Sequence, residues 1–221
     1  TKAIVINSPH NPTGYHFSRD ELDAIIAIAE EHGLWLFSDE VYRGLEHDPA
    51  ALLPPVADLS DRGISLGVMS KAFGLAGLRI GWVAARDRDL MRRAAAFKDY
   101  TTICNSAPSE FLAAVALEHR DLLLARNRAI VRENLALLDA FFPAHADLFL
   151  WSRPRAGSTG FVRLRGGGAE AFCREAIEAA GVLLLPSTVY ESGDDHFRIG
   201  FGRADMPASL DRFEAFLQQR A

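Results

Sequence analysis

The sequence predicts an α/β protein whose main part is a mostly parallel sheet, followed by a smaller α+β unit. Three observations carry this. Two unbroken apolar runs, Ala3-Ile4-Val5-Ile6 and Leu34-Trp35-Leu36-Phe37, suit strands buried on both faces of a parallel sheet. A helical pattern lies between them, giving the order strand, loop, helix, strand of a right-handed crossover. Beyond Leu148 the pattern changes to alternating strands around one helix.

The first strand leads into Asn7-Ser8-Pro9-His10-Asn11-Pro12-Thr13-Gly14, where two prolines and a glycine exclude regular structure and predict a loop. Ser18 and Glu21 then form a capping box, with Phe17 and Leu22 at hydrophobic-staple positions. Leu22, Ile25, Ile26 and Ala29 line one helical face until Gly33. The second strand ends at Ser38-Asp39, so the loops after both strands open on one edge of the sheet. In open α/β sheets that carboxyl edge is where ligands bind. Further strands are expected near 65–70 and 79–85, then helices near 87–98, 109–118 and 122–142. Later strands are expected at 161–165 and 196–200, flanking a helix near 169–180. A closing helix near 207–218 carries Leu210, Phe213 and Leu217 on one face. The division expected is a large domain over 1–120 and a small α+β domain over 121–221. Because the chain opens almost at once on a strand that suits a sheet interior, an N-terminal portion is expected to precede it.

Composition narrows the function classes. Of 221 residues, 49% are apolar and 24% charged, which suits a soluble globular protein with a real core. The net charge of −5 is spread along the chain without a long block of either sign, so no nucleic-acid partner is indicated. No apolar stretch approaches the roughly 20 residues of a membrane span. Cys104 and Cys173 lack metal-ligand or disulfide-framework spacing, and the histidines form no H-x-x-x-H pair, so no metal site is expected. A reduced, cytoplasmic setting fits best.

Several residues are placed where chemistry is done. Lys71 directly follows a strand and precedes a glycine-rich turn, where a desolvated amine can react; an ordinary solvated lysine is the alternative. Asp39 ends a buried strand, and a carboxylate there needs a cation or hydrogen-bond donors. It is either a turn cap or the partner of a protonated ring nitrogen. Tyr42 either hydrogen-bonds a phenolic oxygen or packs. Arg79 offers a planar fork to a phosphate, or else a surface salt bridge. Arg198, inside the apolar strand Phe197-Arg198-Ile199-Gly200, faces either a carboxylate or, on an edge strand, water.

Taken jointly, four runs resemble the class I/II aminotransferases, the fold-type I enzymes that use pyridoxal phosphate. They are 7–14, Ser38-Asp39-Glu40-Val41-Tyr42, 70–81 around Lys71, and Phe197-Arg198-Ile199-Gly200-Phe201. Their order and spacing match the family over essentially the whole chain, whereas any one alone is weak. The resemblance implies that Lys71 is the Schiff-base lysine and general base, that Asp39 pairs with the pyridine nitrogen, and that Asn11 and Tyr42 hydrogen-bond the ring oxygen. It also implies that Arg79 binds the cofactor phosphate, that Arg198 with Asn11 meets the substrate α-carboxylate, and that the enzyme is a homodimer acting on an amino acid and a 2-oxo acid.

There are two departures. Val68 stands where many members carry a serine or threonine phosphate ligand, which leaves Ser70 as the candidate contact. The family's glycine-rich phosphate turn and ring-stacking aromatic belong to a stretch before the first motif, roughly 130 to 180 residues that the resemblance places ahead of Thr1. The same constellation serves lyases and cyclases, and the run 98–110 is similar to the capreomycidine synthase-like branch, which cyclises a hydroxyarginine. Some transcription regulators carry a non-catalytic effector domain of this kind, a further alternative.

Overall fold

A computed structural model of the chain describes residues 1–220. Contacts divide the chain into two compact units, Thr1–His10 with Tyr15–Asn127, and Asn11–Gly14 with Arg128 onward.

The first unit is built on a four-stranded sheet, β1 (Ala3–Asn7), β2 (Trp35–Asp39), β3 (Gly63–Val68) and β4 (Gly81–Ala85), in that spatial order. β1 to β3 are parallel and β4 is antiparallel to β3. Helix α1 (Arg19–Glu31) makes the first crossover. Its start is fixed by the capping box: Ser18 accepts the Glu21 N–H at 3.2 Å, and Glu21 accepts the Ser18 N–H at 2.8 Å. Leu22, Ile26 and Ala29 bury its apolar face against Leu36 and Val56, and Phe17 packs on the same cluster as a staple should. A short helix, α2 (Val56–Leu59), packs on β3, followed after β4 by α3 (Arg88–Asp99) and α4 (Ala107–Glu118). Helix α5 (Arg120–Ala144) comes next, and the division between the units falls inside it. The division expected at 120/121 lies at the start of α5, whereas the break between the two units lies at 127/128.

The second unit carries an antiparallel sheet of β5 (Phe149–Leu150), β6 (Thr159–Leu164), β7 (Leu185–Pro186) and β8 (His196–Gly200), in the order β5-β6-β8-β7. Helices α6 (Ala169–Ala180) and α7 (Met206–Arg220) pack on each other and share one core with the sheet. Six of the largest fully buried side chains here are phenylalanines, including Phe142, Phe149, Phe172, Phe197 and Phe213, in edge-to-face and stacked contacts. Rings of this size dominate the apolar area a small unit can bury.

Most expected elements are present within a few residues. The strand expected at 79–85 starts at Gly81, because Ala76–Leu78 forms a 3-10 turn and Arg79 is left-handed, at φ 54°. α2, β5 and β7 were not expected; at two to four residues each they are too short to show periodicity. No described helix is long and apolar enough to cross a membrane.

Candidate active site

Strand direction gathers the candidate residues of the first unit. Asn7, Asp39 and Leu66 are neighbours across the sheet, and β3 ends two residues later, so the loops after β1, β2 and β3 leave from one edge. Because β4 runs back antiparallel, with Gly81 opposite Val68, the β3–β4 connection returns to that same edge. Ser70, Lys71 and Arg79 all lie on it. A fourth parallel strand would have sent Arg79 to the opposite edge.

The Lys71 loop is held from within. Met69 and Ala72 are fully buried, Met69 N–H donates to the Ile80 carbonyl at 3.0 Å, and a turn closes with Gly74 N–H on the Lys71 carbonyl at 3.0 Å. Ala72 joins a small core with Tyr42 and Leu45, and its N–H donates to the Val41 carbonyl at 3.4 Å. The lysine loop is thereby tied to the loop that follows Asp39. Lys71 itself is exposed and makes no ion pair among the described residues, so the desolvation expected at this position is not supplied by this unit. The buried anchors on either side turn it outward. Ser70 beside it is half-buried.

Asp39 is half-buried, and its Oδ1 accepts the Val41 N–H at 3.2 Å, an Asx turn; this is the cap geometry that was one of the two expectations. Its carbonyl accepts from Asn7 Nδ2 at 2.9 Å and Ser8 N–H at 3.1 Å. Tyr42 is buried, at 5% exposure. Arg79 is exposed, and its Nη1 donates to the Ala76 carbonyl at 3.0 Å. The surface salt bridge considered for Arg79 is not found among the described residues.

Asn11 and Arg198 belong to the second unit, where Arg198 Nη1 donates to Asn11 Oδ1 at 3.2 Å. A guanidinium only donates, so this bond dictates which way the Asn11 carboxamide faces. β8 lies between β6 and β7, with Arg198 opposite Phe161 and Leu185, so the edge-strand reading of this arginine is corrected: it is on an interior strand. Arg198 also lines a cavity of about 510 Å³ with Leu183, Leu185, Arg203 and Arg212.

Two contributors had no sequence signal. Asn127 donates from Nδ2 to the Ala72 carbonyl at 2.9 Å, clamping the lysine loop from 55 residues away. Buried His16 bridges Ser8 Oγ at 3.0 Å and the Ala51 carbonyl at 2.9 Å, fixing the loop after β1.

This topology, with its antiparallel strand returning to the ligand edge, is that of the fold-type I transferases. A solved PLP-dependent aminotransferase from Streptococcus suis 89-1591 superposes with a TM-score of 0.91 at 36% identity, covering 99% of this chain and 58% of that one. The PLP-dependent cyclase OrfR gives a TM-score of 0.91 at 35% identity, over 100% of this chain and 60% of that one. Among curated proteins, the capreomycidine synthase of Streptomyces vinaceus is 35% identical over 205 residues, 91% of this chain and 51% of that protein. The profile of the family Aminotransferase class I and II matches residues 1–212. The chain belongs to that family, and it spans about half the length of the curated relatives it matches.

Proposed function

We propose that this chain carries the lysine side of a pyridoxal-phosphate site and that the protein is an aminotransferase, moving an amino group between an amino acid and a 2-oxo acid. The single observation that carries the reading is the convergence of an amine, a carboxylate and a guanidinium, Lys71, Asp39 and Arg79, on one sheet edge. That donor set fits the cofactor's aldehyde, ring nitrogen and phosphate respectively. When bound, pyridoxal phosphate supplies an aldehyde that condenses with amines and a ring that accepts the electron pair left at the amino acid's Cα.

The chain's own residues do the rest. Lys71 Nζ would hold the cofactor through its aldehyde and, when free, would take the Cα proton as general base. Its exposure leaves it reachable. The Asp39 carboxylate, steadied by the Val41 N–H, would pair with the ring nitrogen and favour its protonated form. Arg79 meets the phosphate through its fork, with Ser70 as a second contact. In the second unit, Asn11, turned by Arg198 so that Nδ2 is its donor, suits a ring oxygen, and Arg198 suits the substrate carboxylate; in the first, the Tyr42 hydroxyl is a donor of the same kind. The test is to add pyridoxal 5'-phosphate to the purified protein, record the visible band, and assay amino transfer across amino-acid and 2-oxo-acid pairs. Absence of a band sinks the reading.

A second reading is a cyclase acting on an amino acid, supported by the 35% identity to capreomycidine synthase and by the likeness to OrfR. In the same assay it predicts a product that keeps its amino group, with no 2-oxo acid released.

The protein acts as a homodimer in the cytoplasm. The cytoplasmic placement is supported by two free cysteines, Cys104 exposed and Cys173 buried. The dimer is supported by large apolar side chains concentrated over 97–122, with Phe97, Tyr100, Ile103, Phe111 and Leu122 each at least 69% exposed. Patches of this kind mark contact surfaces. Phe111→Asp is expected to convert a dimer to a monomer in light scattering without loss of helical circular dichroism; an unchanged mass would reject this surface.

A further inference from the structure

Glu40 is a partly buried carboxylate for which the proposed reaction has no use. It follows Asp39 directly, and because strand side chains alternate it lies on the opposite face of the sheet. Its N–H donates to the Leu66 carbonyl at 3.0 Å, extending the β2–β3 pairing by one residue. Its Oε1 accepts from Ser65 Oγ at 2.8 Å and from the Val56 N–H at 3.0 Å. Ser65 Oγ in turn accepts the Ala57 N–H at 3.1 Å. One carboxylate therefore ties the end of β2 to β3 and to the first turn of α2.

Burial pushes the Glu40 carboxyl up, against the hydrogen bonds from Val56, Ser65 and Ser38 and the charge of Arg43, which pull it down. A small cavity of about 20 Å³, room for roughly one water, lies against it and is also lined by Ser8, His16, Arg43 and Glu46. A carboxylate in such a place adds little net stability over a well-packed apolar side chain. What it adds is a fixed position for its own backbone.

That backbone is the middle of the Asp39 turn. The Asp39 Oδ1 to Val41 N–H bond closes over Glu40, so the φ and ψ of Glu40 set whether the bond forms. We propose that Glu40 is a positioning residue for Asp39: anchored to Ser65 and the Val56 N–H, it holds the turn that orients the Asp39 carboxylate. The catalytic consequence rests on the function proposed above, whereas the positioning itself does not.

The test reads Asp39 directly. In protein labelled with ¹³C at the aspartate carboxyls and without added cofactor, the Asp39 resonance is assigned by its loss in Asp39→Asn and followed through a pH titration. Glu40→Ala is expected to move its midpoint, Ser65→Ala to move it the same way by less, and Glu40→Gln, which keeps an accepting oxygen, to restore most of it. In cofactor-loaded protein, Glu40→Ala is expected to shift the pH midpoint of the visible band and to lower kcat roughly 10- to 100-fold with little change in KM. Added to Asp39→Asn, it should cost nothing further. An unmoved Asp39 titration in folded Glu40→Ala, or, should that variant not fold, in Ser65→Ala, overturns the proposal, as does an equal loss of kcat in the Asp39→Asn background. A wild-type protein that takes no cofactor refutes the proposed function and leaves the carboxyl titration to decide this inference.

Discussion

Lys71→Ala is expected to lower amino transfer by roughly four orders of magnitude and to abolish the visible band of the wild-type holoprotein, while leaving the fold intact. The two halves of this expectation have different sources. Loss of activity follows, on the function proposed above, from removing at once the amine that would hold the cofactor and the base that would take the Cα proton. Retention of the fold follows from the structure: Lys71 is exposed and its side chain joins no ion pair among the described residues, so its removal should change stability by no more than about 0.5 kcal/mol. The buried neighbours Met69 and Ala72, not the lysine, hold the loop. Urea unfolding and a transamination assay on one preparation check both halves. A variant that keeps its midpoint and loses its activity supports the assignment. One that stays within tenfold of wild type sinks it.

How far the sequence foretold this site depends on whether a residue's placement is set locally or by distant chain. Asp39 was legible because an acid ending an apolar strand must be satisfied, and the Asx turn that satisfies it spans two residues. The α1 boundary was legible for the same reason, since Ser18 and Glu21 carry the whole cap between them. Arg79 was only half legible. Its spacing from Lys71 is written in the chain, but its return to the same edge depends on β4 pairing antiparallel to β3, which periodicity does not encode. The clamp from Asn127 to Ala72 left no local trace at all, because an asparagine inside a long helix reads as a surface residue until tertiary packing brings it to the loop. Glu40 was hidden by its neighbour: next to Asp39 in the same motif, it faces the other side of the sheet and meets Ser65, a residue with no signal of its own.

Gly14→Ala is expected to be among the most damaging single-methyl changes in the chain, at roughly 3 kcal/mol or more. Gly14 has φ +66°, and a Cβ there would lie 2.2 Å from the Pro154 Cβ, 2.9 Å from the Thr159 carbonyl oxygen and 3.1 Å from that of Ala156. Two of those atoms are backbone, so no side-chain rotation relieves the clash. The Gly14 carbonyl also accepts the Arg155 and Ala156 N–H groups, at 2.9 and 3.2 Å, which fastens 11–14 to the second unit. Gly33 is the control. It has φ +62° and nothing within 4 Å of the point where a methyl would sit, so Gly33→Ala meets only the left-handed penalty of about 1 kcal/mol. Equal losses in the two variants by urea unfolding would mean that backbone conformation alone is at stake and that the Pro154 contact carries no weight. A larger loss at Gly14 would identify steric closeness as the cause. On the function proposed above it should also weaken substrate binding more than Gly33→Ala does, because Asn11, whose Oδ1 receives the Arg198 guanidinium, sits in the segment that must shift.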